Sequence, residues 1–96
     1  MRRRLELLSP ARDLACGMAA IDHGADAVYI GPPSFGARAA AGNSIDDIAQ
    51  LCAYAHLYDA RVYVTVNTIL FEEELPALRR LLRQLADVGA DAVLFQ

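Results

Sequence analysis

The spacing of apolar and polar positions along the chain predicts alternating strands and helices. The strongest strand signal is Arg61–Val66, where β-branched and aromatic residues fill almost every position and no clean polar/apolar alternation remains. A run of this kind is typical of a strand buried on both faces, as in a parallel sheet. Parallel neighbours need a crossover connection, usually a helix, and helical patterns flank this run on both sides.

Four strands are predicted in all. The first covers residues 4–8 and is expected to end at Ser9-Pro10, because proline cannot continue a central strand. The second covers residues 26–31 and is closed by a glycine and two prolines. The third is the central run described above, and the fourth begins at residue 91 and reaches residue 95.

Three helices are predicted between these strands. The first covers residues 14–23, the second is opened by Ser44 in a variant of the capping box, and the third is opened by Glu72, Glu73 and Glu74. Pro76 is expected in the first turn of the third helix, where its missing N–H costs nothing. The expected buried stripes are Leu14, Met18 and Ile21; Ile45, Ile48, Cys52 and Ala55; and Leu75, Leu78, Leu82 and Leu85.

The sequence also contains an internal echo, since GADAV at 24–28 recurs at 89–93. Each copy combines a helix stop, at Gly24 or Gly89, with the start of a strand, as repeated αβ units require. The predicted fold is therefore α/β, with the order β-α-β-α-β-α-β and right-handed crossovers. That order describes either the first half of a TIM-type (β/α)₈ barrel or a small open parallel sheet.

Length and composition support a single domain over residues 1–96. The chain is 55% hydrophobic and 22% charged, which excludes a disordered protein. It ends inside the fourth predicted strand and a half-barrel leaves two unpaired edges, so we expect a truncated barrel. The net charge of −3 gives no support for a general electrostatic grip on nucleic acid. No stretch reaches the length of a membrane helix, and a cytoplasmic location is expected.

The candidate site residues lie in or near the predicted βα loops. Asn67 follows the third strand at its carboxyl end, where α/β folds place their ligands, although an Asn here also suits a local turn. Arg38 lies in the long loop at 32–43 and is either an anion-binding residue or a solvated loop arginine. Asn43 directly precedes the Ser44 cap, so local capping is the simpler interpretation.

Glu6 is a lone acid in an otherwise apolar strand, and it points either into the barrel mouth or to solvent at the edge. Cys16 and Cys52 are expected to be small buried apolar residues in a reducing compartment. His23 and His56 form no recognisable nucleophile pair with a Cys or Ser. The sequence has no H-E-x-x-H zinc motif and no glycine-rich phosphate loop.

One ordered set of segments is similar to a known family. The set comprises ELLSPA at 6–11, AIDHGADAVYIG at 20–31, FGAR at 35–38, Asn43, VYVTVNT at 62–68, and GADAV at 89–93. Together these resemble the N-terminal part of the collagenase-like peptidases, peptidase family U32. Ser9 and Arg12 depart from the alanine and glycine usual there, both in the first predicted loop.

The resemblance implies a (β/α) barrel-like domain in which Arg38, Asn43, Asn67 and Glu6 are candidates for the substrate face. It implies peptidase activity by name, or alternatively oxygen-independent hydroxylation of tRNA or rRNA bases, or of a quinone precursor, with an iron–sulfur cluster. The cluster's cysteine signature in the family lies beyond position 96, so neither cysteine of this chain inherits that role. A third hypothesis is a non-catalytic half-barrel that self-associates through its open sheet edges.

Overall fold

The computed structural model describes residues 6–31, 43–67 and 75–95. Strands and helices alternate along them in the predicted order. The elements are β1 (Leu8–Ala11), α1 (Leu14–Asp22), β2 (Ala27–Ile30), α2 (Ile45–Leu57), β3 (Arg61–Val66), α3 (Leu75–Asp87) and β4 (Ala92–Phe95). The strands form one parallel sheet in the order β1-β2-β3-β4, which confirms the α/β class and the parallel pairing.

One face of the sheet carries the core. Val62, Val64 and Val66 of β3 are fully buried, while Tyr63 and Thr65 between them are only half-buried. The expectation that β3 is buried on both faces is therefore wrong within the described residues. The reason is that the three valines pack in one core with apolar residues of all three helices, whereas Tyr63 and Thr65 alternate with them and point to the other face.

The first strand lies three to four residues later than predicted. It includes Pro10, which pairs with Tyr29 of β2. Proline was expected to end the strand, but among the described strands β1 lies at the edge of the sheet, and an edge strand tolerates a residue without an N–H.

The buried stripe of α3 is rotated from the prediction. Leu81 and Leu85 are its buried residues, whereas Leu75 is 62% exposed and Leu82 is half-buried. Helix α2 likewise buries Leu51, which the predicted stripe omitted, together with three of its expected members, Ile48, Cys52 and Ala55. Pro76 is the second residue of α3, as predicted, and Glu72–Glu74 lie outside the described residues.

Both described N-caps are made by side chains. Ser44 Oγ accepts a hydrogen bond from the N–H of Asp47 at 2.9 Å, which confirms the predicted cap of α2. The cap of α1 is Asp13, whose carboxylate accepts from the N–H of Cys16 at 2.9 Å. That hydrogen bond lowers the pKa of Asp13. Gly24 and Gly89 have φ values of +97° and +98°, as expected of residues that follow helix ends.

Candidate functional site

The carboxyl ends of β1, β2 and β3 meet at one edge of the sheet, which we call the carboxyl edge. Arg12, Gly31 and Asn67 follow the three strands there. A depression of about 520 Å³ opens at this edge. Its lining residues come from three strands, the loops after them and the first helix: Pro10, Ala11, Arg12, Cys16, Tyr29, Gly31 and Thr65.

The lining combines an aromatic ring with a cation. Tyr29 and Thr65 alternate with the buried valines of their strands, so they belong to the sheet face that the helices leave uncovered. Arg12 is 84% exposed at its side chain, and its Nε lies 3.5 Å from Asp13 Oδ2. An aromatic face beside an exposed guanidinium is suited to a planar ring that carries a negative charge nearby.

Asn43 joins the loops that follow β1 and β2. Its Nδ2 donates to the carbonyl oxygen of Arg12 at 3.2 Å and to that of Gly31 at 3.3 Å. Asn43 therefore does not cap α2, which is the role of Ser44. Instead it fixes the backbone on two sides of the depression, a positioning role that the sequence did not reveal.

Of the other candidate residues, two lie within the described part of the chain, and they lie at opposite edges of the sheet. Asn67 lies at the carboxyl edge, directly after β3, and is exposed. Arg38 lies outside the described residues. Glu6 precedes β1 and so lies at the opposite, amino edge, where the hydroxyl of Tyr63 is 3.3 Å from its Oε2.

Glu6 contributes to a separate, smaller depression of about 190 Å³ at the amino edge, together with Asp26, Asp59 and Arg61. The pKa of Arg61 is raised by its hydrogen bond to Tyr63, and further by the charge of Glu6. The structure therefore places Glu6 in a group of charged residues at the amino edge, away from the carboxyl edge where Asn43 and Asn67 lie.

The two cysteines differ in their surroundings. Cys52 is buried as expected, and that burial, followed by the nearby charge of Asp91, raises the pKa of its thiol to about 11. Cys16 is only half-buried, contrary to expectation, and lines the depression. Among residues 6–31, 43–67 and 75–95, no three His, Cys, Asp or Glu side chains are grouped to hold a metal ion. The described residues thus do not fit an iron–sulfur cluster.

Sequence reasoning overlooked Arg12, Tyr29 and Thr65 as lining residues. Arg12 was noted only as a departure from the usual glycine. A signal for the other two was present, because Tyr29 and Thr65 occupy the positions that alternate with valines and isoleucine in β2 and β3. That period-two pattern marks the second face of a sheet even when every residue is a good strand former.

Comparison with known proteins identifies the family. The profile of peptidase family U32 matches residues 12–96, so the chain belongs to this family. It is 57% identical over 93 residues to the 23S rRNA 5-hydroxycytidine synthase of Escherichia coli. The matched region covers 97% of this chain and 14% of that protein.

Two further relatives show the range of names in the family. An uncharacterized protease of Methanocaldococcus jannaschii is 40% identical over 94% of this chain and 22% of its own length. The tRNA hydroxylation protein P1 of Bacillus subtilis is 36% identical over 96% of this chain and 22% of its own length. The chain thus spans between about a seventh and about a fifth of the length of these three relatives. In the part of the chain that the structure describes, none of the helices is long and apolar enough to cross a membrane.

Proposed function

We propose that this chain forms the first strands and helices of a (β/α) barrel in an enzyme that hydroxylates a base of ribosomal RNA. The observation that carries the proposal is the 57% identity to the rRNA 5-hydroxycytidine synthase over nearly the whole chain. The identity to the protease is 40% over a similar length. A sheet with sequential strand order and helices on one face is what the first half of such a barrel requires.

The depression at the carboxyl edge is the proposed substrate face. In (β/α) barrels the βα loops at this edge bind the substrate. An enzyme that modifies a base within RNA has to take that base out of its stack and hold it in a pocket, often against an aromatic ring. Tyr29 offers the ring, Arg12 offers a cation for a flanking phosphate, and Asn43 holds the two loops that frame them.

Redox chemistry is assigned to other parts of the protein. The described residues do not fit a metal cluster, and Cys52 is buried with a raised pKa that disfavours its thiolate. In this proposal the chain binds and orients the RNA, and the groups that supply the oxidising equivalents lie outside these residues. A cytoplasmic location, where ribosomal RNA is found, is part of the same proposal.

Proteolysis is the second candidate, supported by the family name and by the protease relative. It would use the same carboxyl edge, with a peptide in the depression. Within the described residues, the His23 ring hydrogen-bonds to the carbonyl of Ala19, and His56 pairs with Asp91. Among these residues, neither histidine hydrogen-bonds to a Ser or Cys side chain that it would activate as a nucleophile.

The test is deletion of the reading frame that contains this chain, followed by mass spectrometry of nucleosides from purified ribosomal RNA. The proposal expects one hydroxylated nucleoside to disappear and to return when the frame is supplied on a plasmid. Unchanged nucleosides, together with cleavage of gelatin by the purified protein, would instead establish the peptidase.

A further inference from the structure

Three arginines of α3 form an exposed basic patch that makes no ion pair with a carboxylate among the described residues. Arg79, Arg80 and Arg83 are all exposed, and with Leu75 and Pro76 they line a groove of about 430 Å³. Among the described residues, no Asp or Glu oxygen lies within ion-pair distance of these three guanidinium groups; the ion pairs there are Arg12–Asp13 and His56–Asp91.

The clustering is unfavourable for the helix by itself. Arg79 and Arg83 are four residues apart and Arg80 and Arg83 three apart, so both pairs are neighbours on the helix surface. Like charges at these spacings destabilise a helix. The patch is positive although the net charge of the chain is −3, and it holds three of the nine basic residues of the chain. A polyanion bound at the patch would relieve this repulsion.

We propose that the groove lined by Arg79, Arg80 and Arg83 binds the sugar–phosphate backbone of the substrate RNA. This inference rests on the proposed function, because it takes RNA as the substrate. Arginine forks bind phosphate oxygens bidentately, and side chains one helical turn apart reach successive phosphates of one strand. Exposed Leu75 and Pro76 give an apolar wall against which a sugar or base packs. Because the groove contacts only the backbone, it contributes no base specificity. It holds the RNA in place, and the carboxyl edge selects the base.

The test measures binding of a fluorescein-labelled, single-stranded oligoribonucleotide of mixed sequence to the protein purified at its native length. The triple variant Arg79→Gln/Arg80→Gln/Arg83→Gln is expected to bind at least about tenfold more weakly at low salt. Its slope of log affinity against log salt concentration should be shallower by about 2, since each lost phosphate contact removes about 0.7. The matched control Arg79→Lys/Arg80→Lys/Arg83→Lys keeps the charge and should retain most of the slope.

Two results would overturn the proposal. One is a glutamine variant whose affinity for the RNA and salt slope are unchanged. If that variant also fails to bind a protein partner, the patch is a protein-binding surface and not an RNA-binding one. The other is an equal loss of the salt slope in both triple variants, which would mean that the slope does not come from the charge of the patch. Failure of the proposed function is separable: nucleosides unchanged by gene deletion, with the charge-dependent RNA binding intact, would refute hydroxylation and leave the patch standing.

Discussion

The carboxylate of Asp91 accepts a hydrogen bond from the backbone N–H of Val62, with Asp91 Oδ2 and Val62 N 2.8 Å apart. The other copy of the repeat has the same contact, since Asp26 Oδ2 accepts from the N–H of Leu7 at 2.8 Å. In both copies the aspartate N–H also donates to the carbonyl of the same partner residue. The GADAV echo therefore repeats a function: its aspartate fixes the start of one strand to the beginning of the preceding one.

Replacing Asp91 with alanine should destabilise the fold measurably. Asp91 Oδ2 also lies 2.9 Å from His56 Nε2, so the change removes two contacts to a charged acceptor. We expect a loss of about 1–3 kcal/mol in the free energy of unfolding, measured by urea denaturation. Asp87→Ala, an exposed site on α3, is the matched control and should change stability by less than about 0.5 kcal/mol. Equal effects at the two sites would refute this role of Asp91.

Helix α1 packs on α2 through Gly17. A Cβ at this position would come within 2.8 Å of Leu51 Cδ1 and 3.4 Å of Ala11 Cβ, and Leu51 is fully buried. We expect Gly17→Ala to destabilise the protein by about 1 kcal/mol, because overpacking outweighs the helix propensity that alanine gains. In a Leu51→Ala background, where the space is open, the same change should be neutral or stabilising. A double-mutant cycle by urea denaturation checks the coupling, and its absence would contradict the close contact.

The order of elements was predictable from the sequence because the strong signals are local. Ser44 as a cap, Gly24 and Gly89 after helix ends, and the β-branched run of β3 each specify a short segment without help from the rest of the chain. The first strand was misplaced because the rule against proline holds for central strands, whereas β1 lies at the edge of the sheet that the described strands form. Whether a strand lies at the edge or in the centre depends on the assembled sheet, and the local sequence of residues 4–11 does not contain that information.

The candidate site was less predictable. Asn67 was placed at the carboxyl edge by counting from the end of β3, which needs only the strand assignment. The role of Asn43 depends on the carbonyls of Arg12 and Gly31, 31 and 12 residues away, and no local pattern encodes such distances. Glu6 was considered for the same face because its strand was taken to end at Leu8. With β1 beginning at Leu8, Glu6 falls at the amino edge.

Alkaline pH should weaken the fold through Cys52. Burial raises the pKa of its thiol from 9.0 to about 11, so the folded state keeps the neutral form while the unfolded state ionises. The stabilising contribution is full below pH 9 and is lost as pH rises to about 11. Urea midpoints between pH 8 and pH 11 should fall more steeply in the wild type than in Cys52→Ala. Tyr54, whose hydrogen bond to Asp22 raises its pKa to about 12, acts in a higher window and remains in both proteins.

Asn43→Asp should disturb the carboxyl edge more than Asn43→Ala. The alanine variant leaves two carbonyls without their donor and should cost about 1 kcal/mol. The aspartate has nearly the same shape, but an ionised carboxylate accepts only and would face the two carbonyl oxygens. Hydrogen–deuterium exchange should rise at residues 12–16 and at Gly31 in both variants, with the larger rise in Asn43→Asp. Exchange confined to α2 would mean that Asn43 acts as a cap after all.

Tyr29 should matter to RNA modification through its ring and not through its hydroxyl. If the ring supports a flipped base in the depression, Tyr29→Phe keeps the stacking surface and should complement a deletion strain almost fully. Tyr29→Ala removes it, and stacking worth about 1–3 kcal/mol corresponds to a loss of roughly 5- to 150-fold in modification rate. The readout is the fraction of hydroxylated nucleoside in ribosomal RNA at early times after induction. Tyr63→Ala, on the same face but paired with Glu6 at the amino edge, is the control for general damage to the sheet. If the Tyr29 and Tyr63 alanine variants lose activity equally, the depression is not the base pocket.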